Sequence, residues 1–216
     1  MKSSKWFLAI VAAITLLHVV AAHAAPVDMN DPRRALGRED DVRVDAQLLT
    51  DTVSPGATLG AKYQIQNLTS SPVAVAEKVT DVSYDADTQT IVFAIGSEVP
   101  KDGVAPKLVV IAPGETKSFT AGGMFRALIP ARGAFTSTPR LVQIKVNVLR
   151  NVDAFRDVFA QQARTQSPVA LSDTQFDQWL ESNDAILLNA IPVRFNPRGG
   201  TATGVDASQR TATRGF

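Results

Sequence analysis

The chain is expected to fold as a mainly β, antiparallel sandwich with a short two-helix insert before its last strand. Three observations predict this. Short apolar–polar alternations recur from Val42 to Arg150, turn signals rich in Gly, Pro, Asn and Asp separate them, and apolar spacing turns helical only after Asn151. Strands that follow one another through turns, without alternating helices, favour antiparallel sheets packed face to face over a parallel α/β sheet.

The first element is not part of that fold. Lys2 and Lys5 precede an apolar run from Trp6 to about Val20, and Ala22-His23-Ala24 is a small-x-small exit before Ala25-Pro26. This is the charged, apolar and small-residue succession of a secretory signal peptide, so residues 1–24 are expected to be removed. The run is shorter than the ~20 residues of a spanning helix, and no second run approaches that length, so no membrane span is expected after cleavage. Both histidines, His18 and His23, leave with the leader, and the chain has no Cys. Loss of Lys2 and Lys5 takes the formal charge from +1 to −1. A periplasmic or secreted location follows, with no disulfides and no general attraction to nucleic acid.

Residues 25–41 are polar and mixed in charge, and read as a flexible lead-in. The sandwich is assigned to 42–196. Val42, Val44, Ala46 and Leu48 alternate with Arg43, Asp45 and Gln47, the period of a half-buried strand. After the turn Ser54-Pro55-Gly56, Leu59, Ala61, Tyr63 and Ile65 alternate again; Val73 and Val75 open a third strand. Asp85-Ala86-Asp87-Thr88 reads as a hairpin tip leading into Thr90–Ile95. Lys107–Ile111, a strand containing Phe119, and the long strand Arg140–Arg150 with Val142, Ile144, Val146 and Val148 on one face complete the run. Phe155, Val158, Phe159 and Ala163 then fall at helical spacing, as do Phe176, Trp179 and Leu180. Ser172 with Gln175 three residues on is a capping box. This helical insert is assigned to 151–184. Ile186–Phe195 returns as a strand, with Pro192 marking a sheet edge. Residues 197–216, Gly-, Thr-, Ala- and Arg-rich, are expected to be a disordered tail.

Ser54-Pro55-Gly56, Tyr63-x-Ile65-x-Asn67, Ser71-Pro72-Val73 and Ile111-Ala112-Pro113-Gly114-Glu115 with Phe119 resemble bacterial extracytoplasmic immunoglobulin-like domains, among them adhesion-associated modules and the N-terminal domain of pilus chaperones. In such domains the Asn closes the second strand and the Pro-Gly-Glu turn opens the strand after the sheet crossover. The resemblance covers roughly Val42–Arg150 and Ile186–Phe195. It implies a single immunoglobulin-like sandwich that binds or packs against a partner.

Without His or Cys in the mature chain, Ser-His-acid and Cys-His mechanisms and His/Cys zinc sites are excluded. No phosphate-binding glycine loop, nucleophile elbow or S-x-x-K is present. Asp81, Asp85 and Asp87 remain for carboxylate chemistry or calcium, but Asp at a hairpin tip ordinarily bonds its own backbone. Asn67-Leu68-Thr69 matches the glycosylation sequon and is read as a turn. No cofactor and no catalytic residues are assigned.

The positive stretch from Met124 to Arg164 contains Arg126, Arg132, Arg140, Lys145, Arg150, Arg156 and Arg164 against Asp153 and Asp157. It reads either as a solvated face or as a surface for an acidic partner. Phe155, Phe159, Phe176 and Trp179 read either as core or as a partner anchor. The candidate partner-binding residues are Trp179, Phe176, Arg126, Arg132 and Arg140. The function expected is a non-catalytic protein-binding or envelope-assembly module, its partner another envelope or secreted protein. The alternative is an inhibitor of a secreted hydrolase acting through the passage Gly122–Pro139.

Overall fold

A computed structural model describes residues 27–126, 138–165 and 167–197; the predicted leader, Arg132 and all of the predicted tail except Pro197 lie outside them. In chain order the elements are β1 (Arg34–Glu39), β2 (Val42–Leu48), β3 (Thr52–Val53), β4 (Thr58–Asn67), β5 (Val73–Val75), β6 (Thr80–Asp85), β7 (Thr90–Ile95), β8 (Val104–Ala105), β9 (Val109–Ile111), β10 (Thr116–Met124), β11 (Leu141–Leu149), α1 (Arg156–Thr165), β12 (Val169–Ala170), α2 (Asp173–Ser182), β13 (Asn183–Leu187), β14 (Ile191–Pro192) and β15 (Arg194–Phe195). One sheet has the order β1-β2-β4-β10; the other runs β6-β7-β11-β5-β9, with β13 and β14 also on β11. The protein is thus a mainly β sandwich with two short helices, in agreement with the expected class.

Alternation in the sequence maps onto the two inner faces. Val42, Val44, Ala46, Leu48 and Ile65 from the first sheet meet Ile91, Phe93, Ile95, Val142, Ile144 and Val146 from the second, all fully buried. Burying each such aliphatic or aromatic side chain favours folding by roughly 1.5–3 kcal/mol, and this interface is the main core.

Around β5, β9 and the end of β11 the second sheet is covered on its outer face as well. Val73 and Val75 enter the main core while Ala74 between them belongs to a second cluster with Leu149, Phe155, Val158 and Trp179. Ile111 and Val110 divide in the same way. Strands buried on both faces read as continuous apolar runs, and Val73-Ala74-Val75 and Leu108–Ile111 are such runs. The helical insert is therefore a third layer laid on the sandwich.

Three expectations need correction. The lead-in expected to be flexible contains β1, paired with all of β2 in register from Arg34↔Gln47 to Glu39↔Val42. Its core-facing side carries the small residues Ala35 and Gly37, so hydrophobic periodicity does not mark it. A Cβ on Gly37 would lie 2.8 Å from the Leu187 carbonyl oxygen, so the close approach of β1 to β13 requires glycine there. Asp40 and Asp41 both take positive φ, +40° and +62°, making the tight two-residue hairpin whose twist matches the strands.

The sandwich is not wholly antiparallel. β7 pairs parallel with β11 from Thr90↔Leu141 to Ile95↔Val146, and β15 pairs parallel with β3. Between β7 and β11 the chain crosses to the first sheet as β10 and returns, which delivers β11 in the same direction as β7.

The strand expected over Ile186–Phe195 is divided into β13, β14 and β15. Asn189 leaves the ladder to cap β1, its side-chain oxygen accepting from the Leu36 N–H at 2.6 Å while its own N–H donates to the Leu36 carbonyl at 3.0 Å. Arg150 extends the seal, donating to the Glu39 and Asp40 carbonyls at 3.0 and 3.1 Å. An edge that would otherwise template further pairing is closed at these positions.

Candidate binding groove

The helical layer is anchored before it forms any surface. α2 begins at the predicted capping box, with Gln175 N–H donating to Ser172 Oγ at 3.3 Å and Ser172 N–H to Gln175 Oε1 at 3.0 Å. Trp179 on α2 meets Phe155 edge to face, centroids 5.6 Å apart at 79°. Its indole N–H donates to the Ser97 carbonyl at 3.2 Å, and Asn183 Nδ2 donates to the same carbonyl at 3.0 Å. A buried indole with its N–H paired is a well-settled core residue.

α1 divides its apolar stripe. Phe155, just before the helix, and Val158 are buried in the second cluster, while Phe159 is half-buried against it and Ala163 is exposed. Phe159 and Ala163 therefore roll off the core and face the segment that leads into the edge strand β9. Between them lies a groove of about 650 Å³, lined on the sheet side by Val104, Pro106, Leu108 and Val110. Gln162 ties the walls together, its Nε2 donating to the carbonyls of Ala105 at 2.9 Å and Pro106 at 3.2 Å. β12 pairs with β8 and closes one end of this segment.

Lys101 and Lys107 also line the groove, and among the described residues no Asp or Glu does. Asp102 follows Lys101 but is not part of the lining. Among the described residues neither lysine has an ion-pair partner, in contrast to Lys145 with Glu98, Arg150 with Asp184 and Arg194 with Asp51. Lys117 reaches from β10 and donates to the Val110 carbonyl of β9 at 2.5 Å.

The predicted partner residues do not converge here. Trp179 is 1% exposed, so it is core and offers no surface to a partner. Phe176 is half-buried on α2 and does not line the groove. Arg126 and Arg140 are exposed, after β10 in one sheet and before β11 in the other. Arg126 Nε lies 3.3 Å from Met124 Sδ, and the Arg140 backbone N–H donates to the Gln89 carbonyl at 2.9 Å. Much of the positive stretch is engaged locally: Lys145 and Arg150 hold acids, and Arg156 pairs with Asp153 at 2.9 Å. Of the passage Gly122–Pro139, residues 127–137 lie outside the described residues.

The remaining polar candidates serve turns. Asp85 accepts from Thr88 Oγ1 at 2.8 Å and the Asp87 N–H at 3.0 Å, and these bonds hold its carboxyl below the ordinary value. Asn67 of the sequon is fully buried, its Oδ1 accepting from the Thr69 N–H at 3.0 Å. Among the described residues no group of three or more His, Cys, Asp or Glu is placed to hold a metal ion, and no helix is long and apolar enough to cross a membrane.

The groove residues on α1 were visible in the sequence as part of a helical stripe, but nothing there separated Phe155 and Val158 from Phe159 and Ala163. Lys101 and Lys107 carried no signal, since they bracket a segment whose path only packing determines. No protein-family model matches the chain, and no curated protein matches it in sequence.

Proposed function

We propose that this protein is a non-catalytic, immunoglobulin-like binding module of the periplasm or the secreted space, which holds an apolar ligand or partner segment in the groove between α1 and the β8–β9 segment. The observation that carries the reading is the groove itself: about 650 Å³, walled by Val104, Leu108, Val110 and Phe159. Ligand sites are concave, largely apolar and few per protein, with volumes of roughly 300–1,000 Å³. The expected class, a protein-binding or envelope-assembly module, narrows on this geometry to one that receives an apolar body.

Two further features support the reading. The leader-like start of the chain and the lack of His and Cys after it suit an exported protein without nucleophile–base chemistry. Asn67 ends β4 and the Pro113-Gly114-Glu115 turn leads into β10, positions in keeping with the immunoglobulin-like resemblance.

A photo-reactive side chain placed at position 163 in the source cells tests the proposal. The expected result is a covalent adduct of defined mass, protein or small molecule, that disappears when Phe159→Glu is added to a chain that still folds. Irradiation that yields no adduct, or an adduct unaffected by Phe159→Glu, would overturn it.

A further inference from the structure

We propose that the occupant of the groove is a free long-chain fatty acid, its chain laid against Leu108, Val110 and Phe159 and its carboxylate paired with Lys101 and Lys107. The inference rests on the groove being a binding site, and it names the ligand class of that same site.

Charge selects an anion. Among the described residues, two ammonium groups without ion-pair partners line a groove to which no carboxylate contributes, whereas Lys145, Arg150, Arg156 and Arg194 each hold an acid. A lysine beside an apolar wall lays its methylene stem along the surface and keeps its charge at the water, which is where an amphiphile's head would sit. Both lysines belong to the sheet-side segment, with the apolar residues Val104 and Pro106 between them.

Hydrogen bonding selects against a peptide. The carbonyls of Ala105 and Pro106 already accept from Gln162, and the Val110 carbonyl accepts from Lys117. The Gly103 carbonyl accepts from the Leu171 N–H at 2.8 Å. A polypeptide in this groove would bury amide groups opposite acceptors that already hold a donor. An acyl chain has no polar group along its length and needs only apolar contact. Its single carboxylate matches Lys101 and Lys107, the charged groups among the described lining residues.

Titration calorimetry of the full chain with sodium oleate, kept below its micelle concentration, tests this, with oleyl alcohol as the uncharged probe. Saturable binding of one oleate per chain is expected, with oleyl alcohol at least tenfold weaker. The double variant Lys101→Gln/Lys107→Gln should weaken oleate at least tenfold and leave oleyl alcohol unchanged. Ala163→Trp, a change at an exposed position that fills the groove, should abolish binding of both while the thermal melt stays that of the parent. Absence of saturable oleate binding by the folded parent, equal affinity for oleate and the alcohol, or undiminished binding by Ala163→Trp would overturn the proposal. A peptide adduct at position 163 together with no oleate binding would remove the fatty acid and leave the binding groove standing. No adduct and no oleate binding would remove both.

Discussion

Asn67 on β4 bonds across the sandwich to Ile111 on β9: its Nδ2 donates to the Ile111 carbonyl at 3.0 Å, joining residues of opposite sheets. The same side chain donates to the Ser71 carbonyl at 2.8 Å, and its backbone grips the crossover turn from both sides. Gly114 N–H donates to the Asn67 carbonyl at 2.7 Å and Asn67 N–H to the Glu115 carbonyl at 3.0 Å. Every polar group of a fully buried residue is thus used where the chain passes from one sheet to the other.

Asn67→Ala is expected to destabilise the fold by about 1–3 kcal/mol, since it leaves the buried Ile111 carbonyl without its side-chain donor. Urea denaturation checks this. Asn67→Asp should be at least as damaging, because a carboxylate cannot donate to Ile111 and Ser71 and would be buried as a charge.

Trp179 is expected to behave as core. Trp179→Ala should cost about 3–5 kcal/mol, the range for removing a large buried aromatic side chain. In a chain with Trp6→Phe, acrylamide should quench the remaining tryptophan fluorescence weakly in the folded state and strongly in urea. Strong quenching without denaturant would contradict the buried position.

Tyr63 presents the opposite case. It is 1% exposed and stacked on Phe119 at 5.1 Å, yet its hydroxyl has no hydrogen-bond partner among the described residues. Burial pushes its phenol above the ordinary value. Tyr63→Phe keeps the ring and removes the unpaired group, so it should raise stability by about 1 kcal/mol. A thermal melt shows the sign directly.

Acid should weaken the fold through its turns. The Glu115 carboxylate accepts from the Ala112 N–H at 2.8 Å and faces Lys117 at 3.3 Å, and these hold its pKa below the ordinary 4.5. Asp85 is lowered by Thr88 and Asp87, and Asp51 first by Arg194 and then by Thr52. A group depressed in the folded state contributes stability that is present above its unfolded pKa and lost as pH falls through the folded value. Stability should therefore decline below about pH 4.5, and Glu115→Gln with Asp85→Asn should make the decline shallower. Denaturation midpoints taken from pH 7 to pH 2 measure the slope.

Alternating Val42–Leu48 and Leu59–Ile65, the Asp85–Thr88 tip and the Ser172 capping box are local signals, and each was legible because periodicity or a side chain bonding its own backbone determines the element. β1 was not, because its core-facing residues are Ala35 and Gly37, chosen for closeness to β13 and not for hydrophobicity. The parallel partnership of β7 and β11 was not either, since strand direction follows from which sheet the chain has crossed. For the groove, the sequence alone established that Phe155, Val158, Phe159 and Ala163 share a helical stripe and that Leu108–Ile111 is an apolar run after Lys107. Only the tertiary structure decided that the sheet ends beneath α1, so that Phe155 is buried while Phe159, one helical turn on, faces an open groove beside Lys101 and Lys107. Local patterns specify which face of an element is apolar; how far a neighbouring layer extends to cover it is a property of the packed whole.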